Sequence, residues 1–335
     1  MEIDFHAPIG LALGSGAARG WSHIGVIRAL KEARIEPEIV CGASAGAVVG
    51  AFYAADELDA FEGFVRGLDR RQLMAYLDPT LRGGLLKARK IFDALAAHLP
   101  DRAIESLPKP FAAVTTDLTT GHEIWLREGS LLTALRASIA MPGLVIPEAI
   151  DGRWMLDGGL VNPVPVSLCR ALGAGSVIAV DLNTTLLVKP RLPVTEEKPA
   201  PDPVAEIEES MVSEALLEEQ SASEEAGEAE GGLLSSQTAA RLLTSFQIAA
   251  ADLLDQFGFD ETAEPSGPPL PSIYEVISTS INIMQTRIGR SRMAGDPPEL
   301  LITPRLEDFA LLDFDRADQA IAVGRRAVAH ALAAR

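Results

Sequence analysis

The first 55 residues contain one unit twice: a short apolar run, a turn of small residues and a helical segment. Residues 9–14 are apolar and end in glycine, and residues 20–33 then carry apolar side chains at the spacing of a helix. Residues 38–41 and 45–55 repeat this pattern. Strands that alternate with helices are typical of a parallel sheet covered on both faces. We therefore predict an α/β fold, a three-layer α/β/α sandwich with a mostly parallel central sheet.

The later sequence extends this pattern. Further apolar runs predict strands at residues 111–115, 123–126, 154–156, 177–181 and 300–303. Helical spacing predicts helices at residues 87–99, 131–140, 238–257, 273–293 and 314–334. Residues 196–230 differ in composition, with 13 acidic residues and one basic residue. Such a stretch cannot bury enough apolar surface to fold, so it predicts a disordered or weakly helical insertion.

The overall composition excludes several classes of protein. The formal net charge of −18 argues against a nucleic-acid partner, which requires a basic surface. Cys41 and Cys169 lack metal-ligand spacing and are expected to be buried and reduced. The N-terminus lacks the pattern of a signal peptide, and the longest apolar stretch, residues 43–55, is too short to span a bilayer. These observations predict a cytoplasmic location.

The turn between the second strand and its helix has the sequence Gly42-Ala43-Ser44-Ala45-Gly46. A serine on a sharp strand-to-helix turn needs small neighbours, and the turn exposes its hydroxyl above the sheet. The start of the helix provides free N–H groups for developing negative charge. The pattern therefore predicts that Ser44 is the nucleophile of an acyl hydrolase, with Gly42 and Gly46 shaping the turn.

A serine hydroxyl needs a base within hydrogen-bond reach. In the order Ser, Asp, His, only His330 follows a suitable aspartate, and it lies in the terminal helix, which disfavours an ordinary triad. A desolvated carboxylate that acts directly on the serine is the alternative. Asp157, followed by Gly158 and Gly159, has the right local sequence, although Asp-Gly-Gly alone is more typical of an ordinary turn.

A third segment of small residues lies between the first strand and its helix. Its backbone amides can surround a concavity that suits an oxyanion or a phosphate. A dinucleotide-binding turn is disfavoured, because the glycine spacing differs and no acidic residue ends the next strand. The segment consists of Gly14, Ser15, Gly16, Ala17, Ala18, Arg19 and Gly20.

In this order the three segments resemble the patatin-like phospholipase family, specifically its bacterial members. The flanking residues 21–30, 134–143 and 151–165 also match, and the resemblance covers residues 9–185 and 271–324. It implies a dyad with Ser44 as nucleophile and Asp157 as base, no catalytic histidine, and no metal or other cofactor. It also implies that amides around Gly16 and Ala17 form the oxyanion hole, and that Arg19 orients the loop or meets a lipid phosphate.

The chain departs from the family pattern at Ser15 and Ala17, where glycine is usual. The backbone N–H groups survive these changes, but a residue that needs a positive φ would be strained. Composition and the resemblance together predict an N-terminal tail (1–8), a patatin-like catalytic domain (9–185), an acidic, disordered insertion (186–235) and a C-terminal helical region that completes the domain (236–335).

The predicted function is hydrolysis of a lipid or acyl ester, of the phospholipase A or lysophospholipase type. Two alternatives stay open: a transacylase that uses the same site, and a non-enzymatic regulatory protein on this fold. Homo-oligomers and a transient contact with the inner membrane surface are also open. Helix 273–293 has apolar residues followed by three arginines, which fits core packing and also a lid, a dimer face or a shallow membrane contact.

Overall fold

A computed structural model describes residues 5–80, 84–184 and 273–334. The strands are β1 (Ile9–Leu13), β2 (Ile39–Ala43), β3 (Phe111–Asp117), β4 (Glu123–Leu126), β5 (Glu148–Ile150), β6 (Arg153–Asp157), β7 (Ser176–Val180) and β8 (Leu300–Ile302). The α-helices are α1 (Ser22–Glu32), α2 (Ala45–Ala54), α3 (Leu58–Arg66), α4 (Arg70–Tyr76), α5 (Arg89–His98), α6 (Leu131–Ser138), α7 (Val166–Ala171), α8 (Ile273–Gly295) and α9 (Ala317–Ala333).

The described strands form one eight-stranded sheet in the order β5-β6-β3-β2-β1-β7-β8, and β4 pairs with β3. The run β3-β2-β1-β7-β8 is parallel, whereas β4, β5 and β6 are antiparallel to their neighbours. This confirms the predicted fold with its mostly parallel sheet. Every predicted strand is present, and β5 is an additional strand that the sequence did not indicate.

Alternating side chains along the central strands divide the core into two clusters. Leu11 and Leu13 belong to one cluster, which also contains buried residues of α1, α2 and α9. Ala12 lies between them in sequence and belongs to the other cluster, with buried residues of α7. Because successive side chains of a strand point to opposite faces, the two clusters lie on opposite sides of the sheet. Helices therefore cover both faces, as the three-layer prediction requires.

The pairing of β3 determines how the site is assembled. Ala113 pairs with Gly42 of β2 and with Leu126 of β4, so β2 and β4 lie on opposite edges of β3. Thr115 pairs with β4 and with Asp157 of β6, so β6 shares its edge with β2. The strands β2 and β6 thus meet end to end beside β3. This brings the residue after β2 close to the last residue of β6.

The C-terminal part of the described chain adds to the same layers. Strand β8 extends the sheet beside β7, and α9 packs against α1. The predicted helix at residues 273–293 is confirmed as α8, and the predicted helix at 314–334 is confirmed as a 3-10 turn followed by α9. The predicted acidic insertion and the helix predicted at 238–257 lie outside the described residues. Cys41 and Cys169 are buried free thiols, as predicted.

None of the described helices is long and apolar enough to cross a bilayer.

Candidate active site

Ser44 occupies the sharp turn between β2 and α2. Its backbone has φ 55° and ψ −126°, in the left-handed region that a non-glycine residue rarely adopts. The glycines on either side are required by close backbone approach. A Cβ on Gly42 would lie 2.4 Å from the Ala47 nitrogen, and a Cβ on Gly46 would lie 2.2 Å from the Leu13 oxygen. The turn therefore has the strained geometry of a nucleophile elbow.

The Ser44 hydroxyl donates a hydrogen bond of 2.6 Å to Oδ2 of Asp157. The other carboxylate oxygen of Asp157 accepts a bond of 2.7 Å from the Gly159 N–H. Both Ser44 and Asp157 are buried. Burial raises the pKa of Asp157 to about 6, because desolvation outweighs the bonds from Ser44 and Gly159 that favour the ionised form. The carboxyl is thus ionised at neutral pH, yet more basic than an exposed aspartate.

Two side chains that the sequence did not single out hold this pair in place. Ser138, at the end of α6, accepts a bond of 2.9 Å from the Ser44 N–H and donates one of 2.7 Å to the Val114 carbonyl. Thr116 of β3 donates a bond of 2.8 Å to the backbone carbonyl of Asp157. Ser138 lies within the segment 134–143 that carries the family resemblance, but nothing in its local sequence indicates a contact with the elbow.

The glycine-rich segment adjoins the same point. The N–H groups of Gly14, Ser15 and Ala18 each donate to a backbone carbonyl outside the segment. Within the described residues, the N–H groups of Gly16 and Ala17 have no such acceptor. Ala17 has φ 47°, so the expected backbone strain is present at one of the two departures from the family pattern. Gly16 and Ala17 line one cavity with Ser44, so their amides are the candidate donors of an oxyanion hole.

Buried side chains fix the shape of this segment. The Arg19 Nε donates a bond of 3.1 Å to the Gly16 carbonyl. His23 Nε2 lies 2.8 Å from the Gly14 carbonyl, and burial lowers the pKa of His23 to about 4. A neutral imidazole therefore donates to the loop. His23 thus has a structural role, and the geometry of Arg19 favours loop orientation over contact with a lipid phosphate.

Among the described residues, no histidine is bonded to Ser44 or Asp157. His330 lies on the exposed side of α9, whereas Ser44 is buried. The contact between serine and carboxylate is therefore direct. The described residues also contain no group of three or more His, Cys, Asp or Glu side chains that could hold a metal ion.

Helix α8 covers the site. Ser278, Ile281, Asn282 and Gln285 line a small cavity together with Ser44 and the glycine-rich segment. The cavity has a volume of about 10 Å³, which is enough for one water molecule and far too small for an acyl chain. An ester that reaches Ser44 therefore needs a wider opening than this cavity provides, and α8 forms one of its walls.

Comparison with known proteins agrees with these features. The sequence profile described as patatin-like phospholipase matches residues 11–170. An uncharacterized NTE family protein of Mycobacterium tuberculosis is 37% identical over 97% of this chain and 91% of its own length. Patatin-like phospholipase domain-containing protein 6 of Homo sapiens is 34% identical over 52% of this chain and 13% of its own length.

Among solved structures, VipD from Legionella pneumophila aligns over 87% of this chain and 67% of its own, with a TM-score of 0.33 and 12% identity. That likeness is too distant to add to the fold described above. The close relative that spans almost the whole chain and the matching profile agree with each other. The chain belongs to the patatin-like phospholipase family.

Proposed function

We propose that this chain is a serine acyl hydrolase that cleaves fatty-acyl ester lipids, of the phospholipase A or lysophospholipase type. The observation that carries the proposal is the 2.6 Å hydrogen bond between Ser44 and a buried carboxylate whose pKa is raised to about 6. Family membership supports the lipid class of substrate. The absence of a histidine next to the pair, within the described residues, supports a dyad over a triad.

In the first half of the reaction, Asp157 takes the proton of the Ser44 hydroxyl while Ser44 Oγ attacks the ester carbonyl carbon. The N–H groups of Gly16 and Ala17 stabilise the oxyanion of the tetrahedral intermediate. When the intermediate collapses, the bond to the alcohol breaks, and Asp157 returns its proton to the leaving alkoxide. An acyl-Ser44 ester and a free alcohol result.

In the second half, water replaces the alcohol. Asp157 takes a proton from the water as its oxygen attacks the acyl-enzyme carbonyl, and the same amides hold the oxyanion. Collapse breaks the bond to Ser44 Oγ, which regains the proton from Asp157. The fatty acid leaves, and the dyad is restored to its starting protonation state.

The test combines labelling by a fluorophosphonate probe with turnover of a panel of acyl esters and lysophospholipids. We expect Ser44→Ala to abolish labelling and to lower turnover by roughly a thousandfold or more. Asp157→Asn is expected to lower turnover comparably, because it cannot accept the proton. The exposed Ser106 provides a matched control, since Ser106→Ala removes a hydroxyl away from the dyad and is expected to keep full labelling.

Retained turnover in Ser44→Ala, with the melting temperature unchanged, would exclude Ser44 as the nucleophile. A wild-type protein that is neither labelled nor active, even with detergent present, would favour a regulatory role. Product analysis with added glycerol or lysolipid acceptors separates hydrolysis, which releases free fatty acid, from acyl transfer.

A further inference from the structure

Helix α8 exposes several large apolar side chains and buries polar ones, which is unusual for a surface helix. The side that faces the protein contains Gln285 and Thr286, both buried. Four large apolar side chains point outward, each with 41–49% of its surface exposed: Val276, Ile277, Ile283 and Met284. A helix on a water-facing surface normally buries the apolar residues and exposes the polar ones. The outer side of α8 is thus suited to a non-aqueous environment.

The four residues lie on one side of α8, which we call the stripe, and the polar Thr279 and Ser280 lie between the two pairs. Val276 and Ile283 are seven residues apart, as are Ile277 and Met284, so each pair lies on the same side of the helix, two turns apart. From Val276 to the end of α8 there is no acidic residue, and there are three arginines: Arg287, Arg290 and Arg292. In a chain with a net charge of −18, this helix is a local basic and apolar surface.

The neighbouring sheet surface has the same character. Arg292 of α8 forms an ion pair with Glu123, which also accepts a bond from the indole N–H of Trp125 on β4. Trp125 pairs with Val114, and Val114 packs in the same cluster as Met293 of α8, so Trp125 is on the α8 face of the sheet.

Two further exposed residues share that face. Leu118 lies four positions after Val114, and residues an even number of positions apart along a strand point to the same face. The Leu118 N–H donates a hydrogen bond to the carbonyl of Trp154 on β6. Leu156 pairs with Thr116, which lies two positions after Val114. Trp154 lies two positions before Leu156, so its side chain points to the same face as that of Val114. Leu118, Trp125 and Trp154 are all exposed. Tryptophan side chains are enriched where proteins meet the interface between lipid and water.

The inner side of α8 makes polar contacts beside the buried Ile281 and the partly buried Met293. Gln285 Oε1 accepts bonds of 2.9 Å from the Ser15 hydroxyl and 3.2 Å from the Asn183 amide. Asn282 Oδ1 accepts a bond of 3.1 Å from Arg19 Nη2. Each such bond contributes only a small net stabilisation, since water replaces the partner when the bond is broken. The free energy gained when four apolar side chains move from water into lipid is comparable to, or larger than, the free energy lost with these bonds.

We propose that α8 is a lid whose outer stripe docks on a phospholipid bilayer with anionic head groups, and that docking draws α8 away from Ser44. The stripe supplies the apolar contact, and Arg287 and Arg290 supply charge complementarity to the lipid. The opening step rests on the proposed acyl hydrolase function, because it explains how an ester lipid reaches a buried serine. The docking step does not depend on catalysis.

Docking is tested by sedimentation with phosphatidylcholine vesicles, with and without phosphatidylglycerol, in a Ser44→Ala background so that no lipid is consumed. We expect binding to be severalfold stronger when phosphatidylglycerol is present. The double change Ile283→Gln and Met284→Gln is expected to weaken binding roughly tenfold, because two apolar side chains no longer enter the lipid. Met74 provides the matched control, since it is 44% exposed on α4, and Met74→Gln is expected to bind like the parent.

Three results would overturn the docking proposal: no vesicle binding by the parent, equal loss in the Met74→Gln control, or equal binding to both vesicle types. A parent that sediments as a dimer in solution, and becomes monomeric on the double change, would show that the stripe joins two copies of the chain instead.

Opening is tested in the active protein with one lysophospholipid, dispersed as monomers or presented in phosphatidylglycerol vesicles. We expect vesicles to raise wild-type turnover severalfold and to raise that of the double variant much less, with equal turnover of a short soluble ester in both. Equal activation of the two proteins by vesicles would refute the lid. A wild-type protein that binds vesicles but turns over neither substrate would instead refute the hydrolase function. The two failures are therefore distinguishable.

Discussion

At the scale of single residues, the proposed role of Asp157 as the base makes the activity depend on pH. In that mechanism the carboxyl must be ionised to take the Ser44 proton, and burial raises its pKa to about 6. We expect kcat/KM for a soluble ester to be level above this pH and to fall about tenfold per pH unit below it. A pH–rate profile checks this. A profile that stays level down to pH 4, where an exposed aspartate titrates, would contradict the raised pKa.

The same shift has a consequence for stability. A folded-state pKa above the unfolded value of 3.8 means that the folded protein prefers the protonated form. The stabilising contribution is complete below the unfolded pKa and is lost as the pH rises through about 6. The side chain in Asp157→Asn cannot ionise. We therefore expect the free energy of unfolding of the variant, relative to wild type, to increase between pH 4 and pH 8 by up to about 3 kcal/mol. Urea unfolding at both pH values measures this difference, and a constant difference would contradict it.

Ser15, which departs from the family pattern, makes a contact that the sequence did not predict. The resemblance identifies position 15 as one where glycine is usual, and the expected cost was backbone strain. In the structure the strain is at Ala17, whereas the Ser15 hydroxyl is bonded to Gln285 of α8. A glycine at position 15 could not make this bond. The sequence could identify the departure but not its partner, which lies 270 residues away.

At the scale of secondary-structure elements, α8 is held over the site by polar contacts, and Gln285 makes two of them. Gln285→Ala removes both bonds and lowers the free energy of the open position relative to the closed one by about 1–2 kcal/mol. We expect kcat/KM for a soluble short-chain ester to rise severalfold, and amide hydrogen exchange in α8 to accelerate.

The exposed Gln319 on α9 provides the control, since Gln319→Ala removes a glutamine that bonds to Arg316 at the surface. It is expected to leave both measurements unchanged. A fall in kcat with unchanged exchange in α8 would show that Gln285 instead holds the Ser15 loop in its active shape.

The elements differ in how far their sequence determines them. The elbow, its strand and its helix could be predicted because the apolar run, the small-residue turn and the helical spacing are all local. Strand β5 could not, because Glu148–Ile150 is only three residues long and forms through its pairing with β6. The sequence also could not predict that α8 exposes apolar side chains and buries Gln285 and Thr286, because it does not identify which side of the helix contacts the protein.

At the scale of the whole molecule, the pairing of Ser44 with Asp157 depends on the sheet topology. The two residues are 113 positions apart, and they meet because β2 and β6 share one edge of β3. From the residues alone, Asp157 was a candidate base in a sequence more typical of an ordinary turn, and the family resemblance strengthened the assignment. The support from Ser138 depends on the same arrangement, because α6 must lie beside the elbow before its last residue can accept the Ser44 N–H.

The C-terminal helix is tied to the glycine-rich segment through α1. A Cβ on Gly324 of α9 would lie 2.0 Å from the Ser22 carbonyl oxygen at the start of α1, so the two helix backbones are in direct contact. Trp21, next to this contact, donates a bond of 3.1 Å from its indole to the Phe314 carbonyl just before α9. Gly324 therefore allows the close contact between α9 and α1, and this contact also supports the glycine-rich segment beside Ser44.

We therefore expect Gly324→Ala to destabilise the protein by about 2–3 kcal/mol, because a methyl group forces two packed backbones apart. Gly63 in α3 is the matched control, since nothing lies within 4 Å of the position a Cβ would occupy. Gly63→Ala is expected to stabilise by about 0.5–1 kcal/mol, through the lower helix propensity of glycine. Urea unfolding of both variants measures the two opposite shifts. A neutral or stabilising effect of Gly324→Ala would mean that α9 lies farther from α1 than the structure shows. The contact of α9 that supports the glycine-rich segment would then be absent too.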